Sequence, residues 1–406
     1  MAAKRRVILL VMGVVLSEIL TGCWNRKELN DLSVVIGMGI EMVNEEYLVT
    51  MQVVDTSQMS SNRKADRSPT LVISEQERTI YEAIRKITTK TSRKMYGAHL
   101  RLLILDEKVA RKGIRDALDQ ILRDYEPRPD FYTVLSKKYS PREILSLVTP
   151  TEVLPAIELY RSLKLSEKVW APTAAITIVE LYQMLVKEGI EPVLTGLTIR
   201  GNSVKGSKMD NVKQPKSYAE YQFEDIGVFR EDKFLGWLGE SDSKAYNYIV
   251  NKVRNTVGKA ACPNGSNEFV VEITKSKAKI KPEMRSGVPA VRIVLKTEGN
   301  IGELHCNVDL NKEEDFLQLQ QAGKERLYQI VDQGIRHVQD DYGVDIFGFG
   351  IAFHHKFPKQ WAVLKTNWNE NFKKMPIDVE LDYKLQKIGK TINSLENRLN
   401  RGVEEK

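Results

Sequence analysis

The sequence predicts an α+β fold made of three consecutive mixed α/β domains, each a small sheet packed with helices, after a lipoprotein signal peptide. Three observations carry this. Short β-rich runs alternate with segments whose apolar residues recur at helical spacing. A basic, then aliphatic N-terminus ends abruptly on a cysteine. Around "GKAACPNGSN" (258–267) the composition shifts to small, turn-forming residues, which marks a boundary.

Lys4, Arg5 and Arg6 precede an aliphatic run from Val7 to Leu16, the order of a secretory signal. The run is shorter than the roughly 20 apolar residues that span a bilayer. It closes on Leu20-Thr21-Gly22-Cys23, which resembles the bacterial lipobox Leu-x-Gly-Cys. On that reading residues 1–22 are removed and the Cys23 thiol carries a diacylglyceryl group. The amine freed by cleavage can take a further acyl chain. Two or more chains hold a protein where one binds marginally, at about 0.8 kcal/mol per buried CH₂.

The 406 residues are 28% charged and 42% hydrophobic, ordinary values for a folded body. A net charge of +7 over this length favours proximity to anionic headgroups and gives no reason to expect nucleic acid as a partner. Two cysteines remain, Cys262 and Cys306. Export would allow them to oxidise, but pair geometry is not written in sequence, and two buried free thiols is the plainer reading.

The first domain, 24–165, opens with "SVVIGMGIEM" and "EYLVTMQVVD", a hairpin, followed by a polar loop and the strand "TLVISE". Ile80, Ala83, Ile84 and Ile87 share one helical face. "LRLLIL" is a buried strand, and Asp106 then opens a helix with Ile114, Ala117, Leu118, Ile121 and Leu122 inward. After the strand "FYTVLS", Ser140-Pro141-Arg142-Glu143 spells a capping box. The middle domain, 166–258, holds a helix over 173–189, the strand "PVLTGLTI", and a polar excursion (200–217) expected to be a linker. A hairpin turning at Arg230 to Lys233 and a helix from Ser241 to Val253 complete it. The third domain, 262–392, has two β-rich runs and a long helix over 311–342 stopped by Gly343. The helix "FPKQWAVLKTNWNENF" and the strand "IDVELDYKLQKIG" follow, and 393–406 is a charged tail.

No residue set points to catalysis, a cofactor or a metal. Gly201-Asn-Ser-Val-Lys-Gly206-Ser207-Lys208 mimics a phosphate loop, but its serine precedes the lysine and no apolar helix follows. Gly37-Met38-Gly39 lacks the third glycine of a dinucleotide site and reads as a bulge or close-packed strand. Gly348-Phe349-Gly350 reads as a tight connection among buried aromatics. The histidines lack the i, i+4 spacing of a zinc helix. The chain is expected not to be an enzyme. Trp237, Trp361 and Trp368 are the remaining candidates. Core packing is the weightier reading of them, and partner contact the sharper one.

Four stretches then fall into a recognisable order. "GCWNRKELNDLSVVIGMGIE", "AHLRLLILDEKVARKGIRDALDQILRDYEPR", "IGVFREDKFLGWLGESDSKAYNYI" and "DIFGFGIAFHHKFPKQWAVLKTNWNENF" resemble successive segments of the Ger(x)C family, the lipoprotein C subunits of bacterial spore germinant receptors. The resemblance implies a non-enzymatic lipoprotein on the outer face of the spore inner membrane. There it would assemble with polytopic A and B subunits and serve nutrient-triggered germination. Binding of germinant by this subunit is left open. A solute-binding lipoprotein feeding a transporter is the rival, and would show two similar lobes about a ligand cleft.

Overall fold

The computed structural model describes residues 4–6, 12, 32–55, 68–263, 265 and 267–386. Cys23, most of the expected signal peptide and the 393–406 tail lie outside the described residues. The chain is a mixed α/β body built on two sheets.

The first sheet contains β1 (Leu32–Val43), β2 (Glu46–Val54), β3 (Thr70–Glu77), β4 (Lys94–Tyr96), β5 (Leu102–Leu105), β6 (Tyr132–Ser136), β7 (Val193–Gly201), β8 (Ala219–Arg230) and β9 (Lys233–Leu238). Its order is β3-β2-β1-β5-β6-β7-β8-β9, with β4 beside the start of β1. The centre, β1-β5-β6-β7, is parallel, and each flank is antiparallel. Central parallel strands are covered on both faces and therefore read as unbroken apolar runs. Every residue of "LLIL" and "YTVLS" is buried. Alternate side chains feed opposite faces: Leu103, Leu105 and Leu135 join one cluster, and Leu102, Ile104 and Val134 another.

Helices α1 (Ile80–Ile87), α2 (Glu107–Lys112), α3 (Arg115–Arg123), α4 (Pro141–Leu145) and α5 (Pro155–Val169) cover these faces, with α6 (Ile178–Val186) and the short α7 (Ser203–Gly206). The capping box of α4 is present, Ser140 and Glu143 each bonding the other's backbone N–H. The helix expected after Asp106 is two helices. Gly113 breaks it at φ +136, and Leu122 emerges exposed. The Gly37-Met38-Gly39 stretch is the bulged, close-packed strand it resembled. A Cβ on Gly37 would sit 2.8 Å from the Leu145 side chain, and one on Gly39 would sit 2.6 Å from Pro141.

The expected division at 165/166 falls inside α5, and strands from both sides of it share one sheet. α5 is signalled locally by Pro155 in its first turn, but no local pattern shows that strands on either side of it join one sheet. The buried face of α5 carries Ala156, Leu159 and Leu163 at i, i+3 and i+7, a regular helical stripe. The 200–217 excursion is folded, not a linker. Asn211, fully buried, donates to the Val148 and Ala219 carbonyls and accepts from the Tyr218 and Ala219 amides. One asparagine thereby supplies the backbone pairing that a polar segment otherwise seeks in water.

The second sheet runs β10 (Thr256–Ala261), β11 (Glu268–Arg285), β12 (Val288–Leu304), β13 (Ile377–Gln386), antiparallel except for the parallel β12–β13 pair. Between β12 and β13 lie α9 (Glu313–His337), α10 (Phe349–Lys356), α11 (Pro358–Leu364) and α12 (Trp368–Lys374); α8 (Glu240–Ile249) precedes β10. Gly343, at φ 60, ends the turn that follows α9, as its position suggested. Cys262 and Cys306 form a disulfide with a Cα–Cα distance of 5.4 Å, so the free-thiol reading is corrected. The bridge ties the end of β10 to the segment after β12.

The two sheets are not separate bodies. One apolar cluster runs from Val35 on β1 to Leu385 on β13. At the α8–α9 contact Gly334 admits Ala245, whose methyl would lie 2.4 Å from an added Cβ.

Candidate functional site

The loop after α6 and the first turn of α10 meet at two glycines. A Cβ on Gly350 would lie 2.4 Å from the Gly189 Cα, so only glycine allows the two backbones to touch. The contact is sealed by Glu191 N–H donating to the Asp345 carbonyl at 2.8 Å and Ile351 N–H to the Gly189 carbonyl at 3.3 Å. The helix expected over 173–189 is the shorter α6, capped at Lys187, so Gly189 does not end it; its positive φ of 85° serves the backbone approach instead.

Asp345 organises the turn. Its Oδ1 accepts from the Phe347 and Gly348 amides at 3.1 and 2.9 Å, and its Oδ2 from the Gly350 amide at 2.8 Å and Trp368 Nε1 at 3.0 Å. The carboxyl is fully buried, and burial pushes its pKa up to about 6 against the pull of those donors. The aromatics of the Gly348-Phe349-Gly350 connection are core. Phe347 and Phe349 stack at 5.2 Å and both reach Phe372.

Above this seam lies a cleft of about 740 Å³ between α3, the α6–β7 loop, the β8–β9 turn and the helices α11 and α12. Its apolar wall includes Leu118, Leu122, Tyr182 and Trp361. Its charges are largely paired: Arg115 with Asp232 at 3.5 Å, and Lys365 with Glu188 at 2.9 Å. Lys365 holds the Glu188 carboxyl below its ordinary range. Glu191 accepts from the Glu231 amide at 2.5 Å, and burial pushes its pKa up to about 7. No histidine, cysteine or serine is among the lining residues. Among the described residues no cluster of three metal-ligating side chains is found.

Glu191 gives a signed pH effect. Its folded pKa is raised, so the folded state binds the proton more tightly than the unfolded chain. Stability from this group is greatest below about pH 4.5 and falls as pH rises towards 7. Glu191→Gln should therefore raise the unfolding midpoint at pH 8 by the equivalent of about 1–3 kcal/mol, with the gain vanishing near pH 4. Urea unfolding at the two pH values checks this. A gain of equal size at both would remove titration as its cause.

Trp361 and Trp368 lie beneath the cleft, 2% and 7% exposed, their rings edge to face at 5.0 Å. They are core residues, not surface contacts, because α11 and α12 fold their stripe against α10. The segment is two helices and a turn, since Lys365–Asn367 tightens between them. Trp237 sits elsewhere, half-buried on β9. Lys137 Nζ lies 5.3 Å over its ring, Phe234 is edge-on at 4.9 Å, and its Nε1 is 3.4 Å from Glu107. Asp345 and Glu191 were missed from sequence; only an aspartate three residues before a Gly-x-Gly turn hinted at the first. Cys23 lies outside the described residues.

The chain matches two family models in order: the spore germination protein N-terminal domain over 25–199, and the spore germination B3/GerAC-like C-terminal domain over 224–389. Among curated proteins it is similar to spore germination protein KC of Bacillus subtilis (strain 168), 26% identical, covering 97% of this chain and 98% of that one. Spore germination protein B3 of the same organism is 23% identical over 91% and 95%. Among solved structures it resembles the crystal structure of the GerBC protein, with a TM-score of 0.55 at 19% identity over 86% of this chain and 96% of that one.

Proposed function

Because this chain belongs to the spore germination B3/GerAC-like family, we propose that it is a non-enzymatic, lipid-anchored subunit of a nutrient germinant receptor. It sits on the outer face of the spore inner membrane and assembles with the polytopic A and B subunits. Its Cys23 thiol carries a diacylglyceryl group, and the freed amine can take a further acyl chain. The observation that carries this reading is the ordered match of both family models over most of the chain. Among the described residues no helix is long and apolar enough to cross a membrane; attachment through Cys23 rests on the lipobox resemblance of Leu20-Thr21-Gly22-Cys23. Confinement beside a membrane raises the effective concentration of its partners, and modest interfaces then suffice.

The two sheets speak against the solute-binding alternative. They are dissimilar, and the apolar cluster shared between them leaves no hinge about which lobes could close on a ligand.

Cys23→Ala decides the anchor. Mass spectrometry of the native protein should find Cys23 as an acylated N-terminus. The variant should leave the membrane fraction of spores, lose the polytopic proteins that co-purify with the tagged wild type, and abolish germination through this receptor. An unmodified wild-type N-terminus would overturn the reading.

A further inference from the structure

The outer face of the second sheet carries a row of lysines. After the register shift between Ile273 and Lys275, β11 turns Ala278 and Pro282 inward and Lys275, Lys277, Lys279 and Lys281 outward. Residues two apart on a strand are about 6.7 Å apart, so the row extends about 20 Å in a line. Lys275 is paired with Glu298 at 3.0 Å. Among the described residues no carboxylate pairs with Lys277, Lys279 or Lys281.

The row is held in place by contacts at the edge of β11. β10 pairs with β11 only as far as Ile273, which leaves the backbone beyond unsupported on that side. Asn251 fills the role of a neighbouring strand there. Its Nδ2 donates to the Ala278 carbonyl at 2.9 Å and its Oδ1 accepts from the Ala278 amide at 2.6 Å. Lys356, itself exposed, donates to the Pro282 carbonyl at 2.9 Å and places a further cation beyond Lys281. The edge cannot recruit another strand at these points, and the lysines remain outward.

Charge is graded across the face. On the same side β12 contributes Arg292 and Lys296, paired with Glu283 and Asp382, while β13 contributes three acids, Asp378, Glu380 and Asp382, against one base, Lys384. The face is thus basic along β11 and acidic along β13.

We propose that the Lys275–Lys281 row docks on an anionic phospholipid surface, with β11 towards the membrane and β13 turned away. An evenly spaced line of long, solvated cations matches a planar array of headgroup charges, which attracts each such lysine separately. The choice of a membrane as occupant rests on the anchored reading above, whereas the charge pattern does not.

The test is partition of the full-length protein onto phosphatidylcholine vesicles with and without phosphatidylglycerol. Acyl chains and the apolar N-terminus enter both alike, so the ratio of the two partition coefficients isolates the electrostatic term. Failure of the anchor lowers both coefficients and leaves their ratio. The wild type should favour the anionic vesicles, and the preference should disappear at 1 M salt, where screening acts within about 3 Å. Lys277→Gln/Lys279→Gln/Lys281→Gln should lower the ratio by about 100-fold. These side chains lie on a solvated face, so the variant should keep the wild-type unfolding midpoint. Equal partition of the wild type onto both vesicles, or an unchanged ratio in the triple variant, overturns the proposal. A variant that keeps its ratio but no longer co-purifies with its protein partners overturns it too, and assigns the row to an acidic protein surface.

Discussion

Asp345→Ala should cost the fold about 4 kcal/mol or more. Four donors converge on this one buried carboxylate, from Phe347, Gly348, Gly350 and Trp368. Each buried donor left without an acceptor costs about 1–3 kcal/mol. The sum is discounted because water can enter the vacated space and because burying the carboxylate was itself unfavourable, as its raised pKa records. Against a typical total of about 5–15 kcal/mol, such a loss can abolish folding. Asp345→Asn is the graded companion. Its one carbonyl oxygen can serve two of the four donors while its NH₂ opposes the others, so the loss should be intermediate. Urea unfolding followed by tryptophan fluorescence reads both, and a loss below about 1 kcal/mol for the alanine variant would mean that the turn is held by other contacts.

Trp361→Ala should cost about 3–5 kcal/mol, the range for emptying a large aromatic site. The ring is 2% exposed, meets Trp368 edge to face at 5.0 Å and lies parallel to His354 at 6.0 Å. It also closes over Gly350, where an added Cβ would come within 2.8 Å of it. Because the two tryptophans touch, Trp361→Ala and Trp368→Ala should not add: the double variant should lose less than the sum. Thermal unfolding of the purified proteins decides the matter. An unchanged midpoint with failed receptor assembly would make the pair a partner contact despite its burial.

What could be read in the sequence follows from how local each cause is. The hairpin of β1 and β2, the buried runs at 102–105 and 132–136, the Ser140–Glu143 box and the stop at Gly343 are all set by residues within a few positions of one another. The strand bulge at Gly37 was legible for the same reason. Features set at a distance were not. The single first sheet depends on β6 and β7 pairing across a stretch in which α5 intervenes. Asn211 pins its segment by reaching Val148, 63 residues away. Asp345 looks like any acid before a glycine turn until Trp368 arrives on it. The tryptophan stripe was visible at helical spacing, but which side it faced was decided by the turn at Lys365–Asn367.

The position of β1 has a mechanical consequence. Leu32 begins an interior strand, hydrogen-bonded to β2 on one side and to β4 and β5 on the other. Eight residues lie between Cys23 and Leu32, so a taut leader reaches at most about 30 Å. With Cys23 anchored as proposed, any pull between membrane and body enters at the middle of the nine-stranded sheet, not at a frayed rim. A pull along the strand must then shear both ladders together instead of unzipping one bond at a time. The attachment point should yield only when the central sheet does, which makes the leader a short cable fixed to the stiffest beam in the molecule.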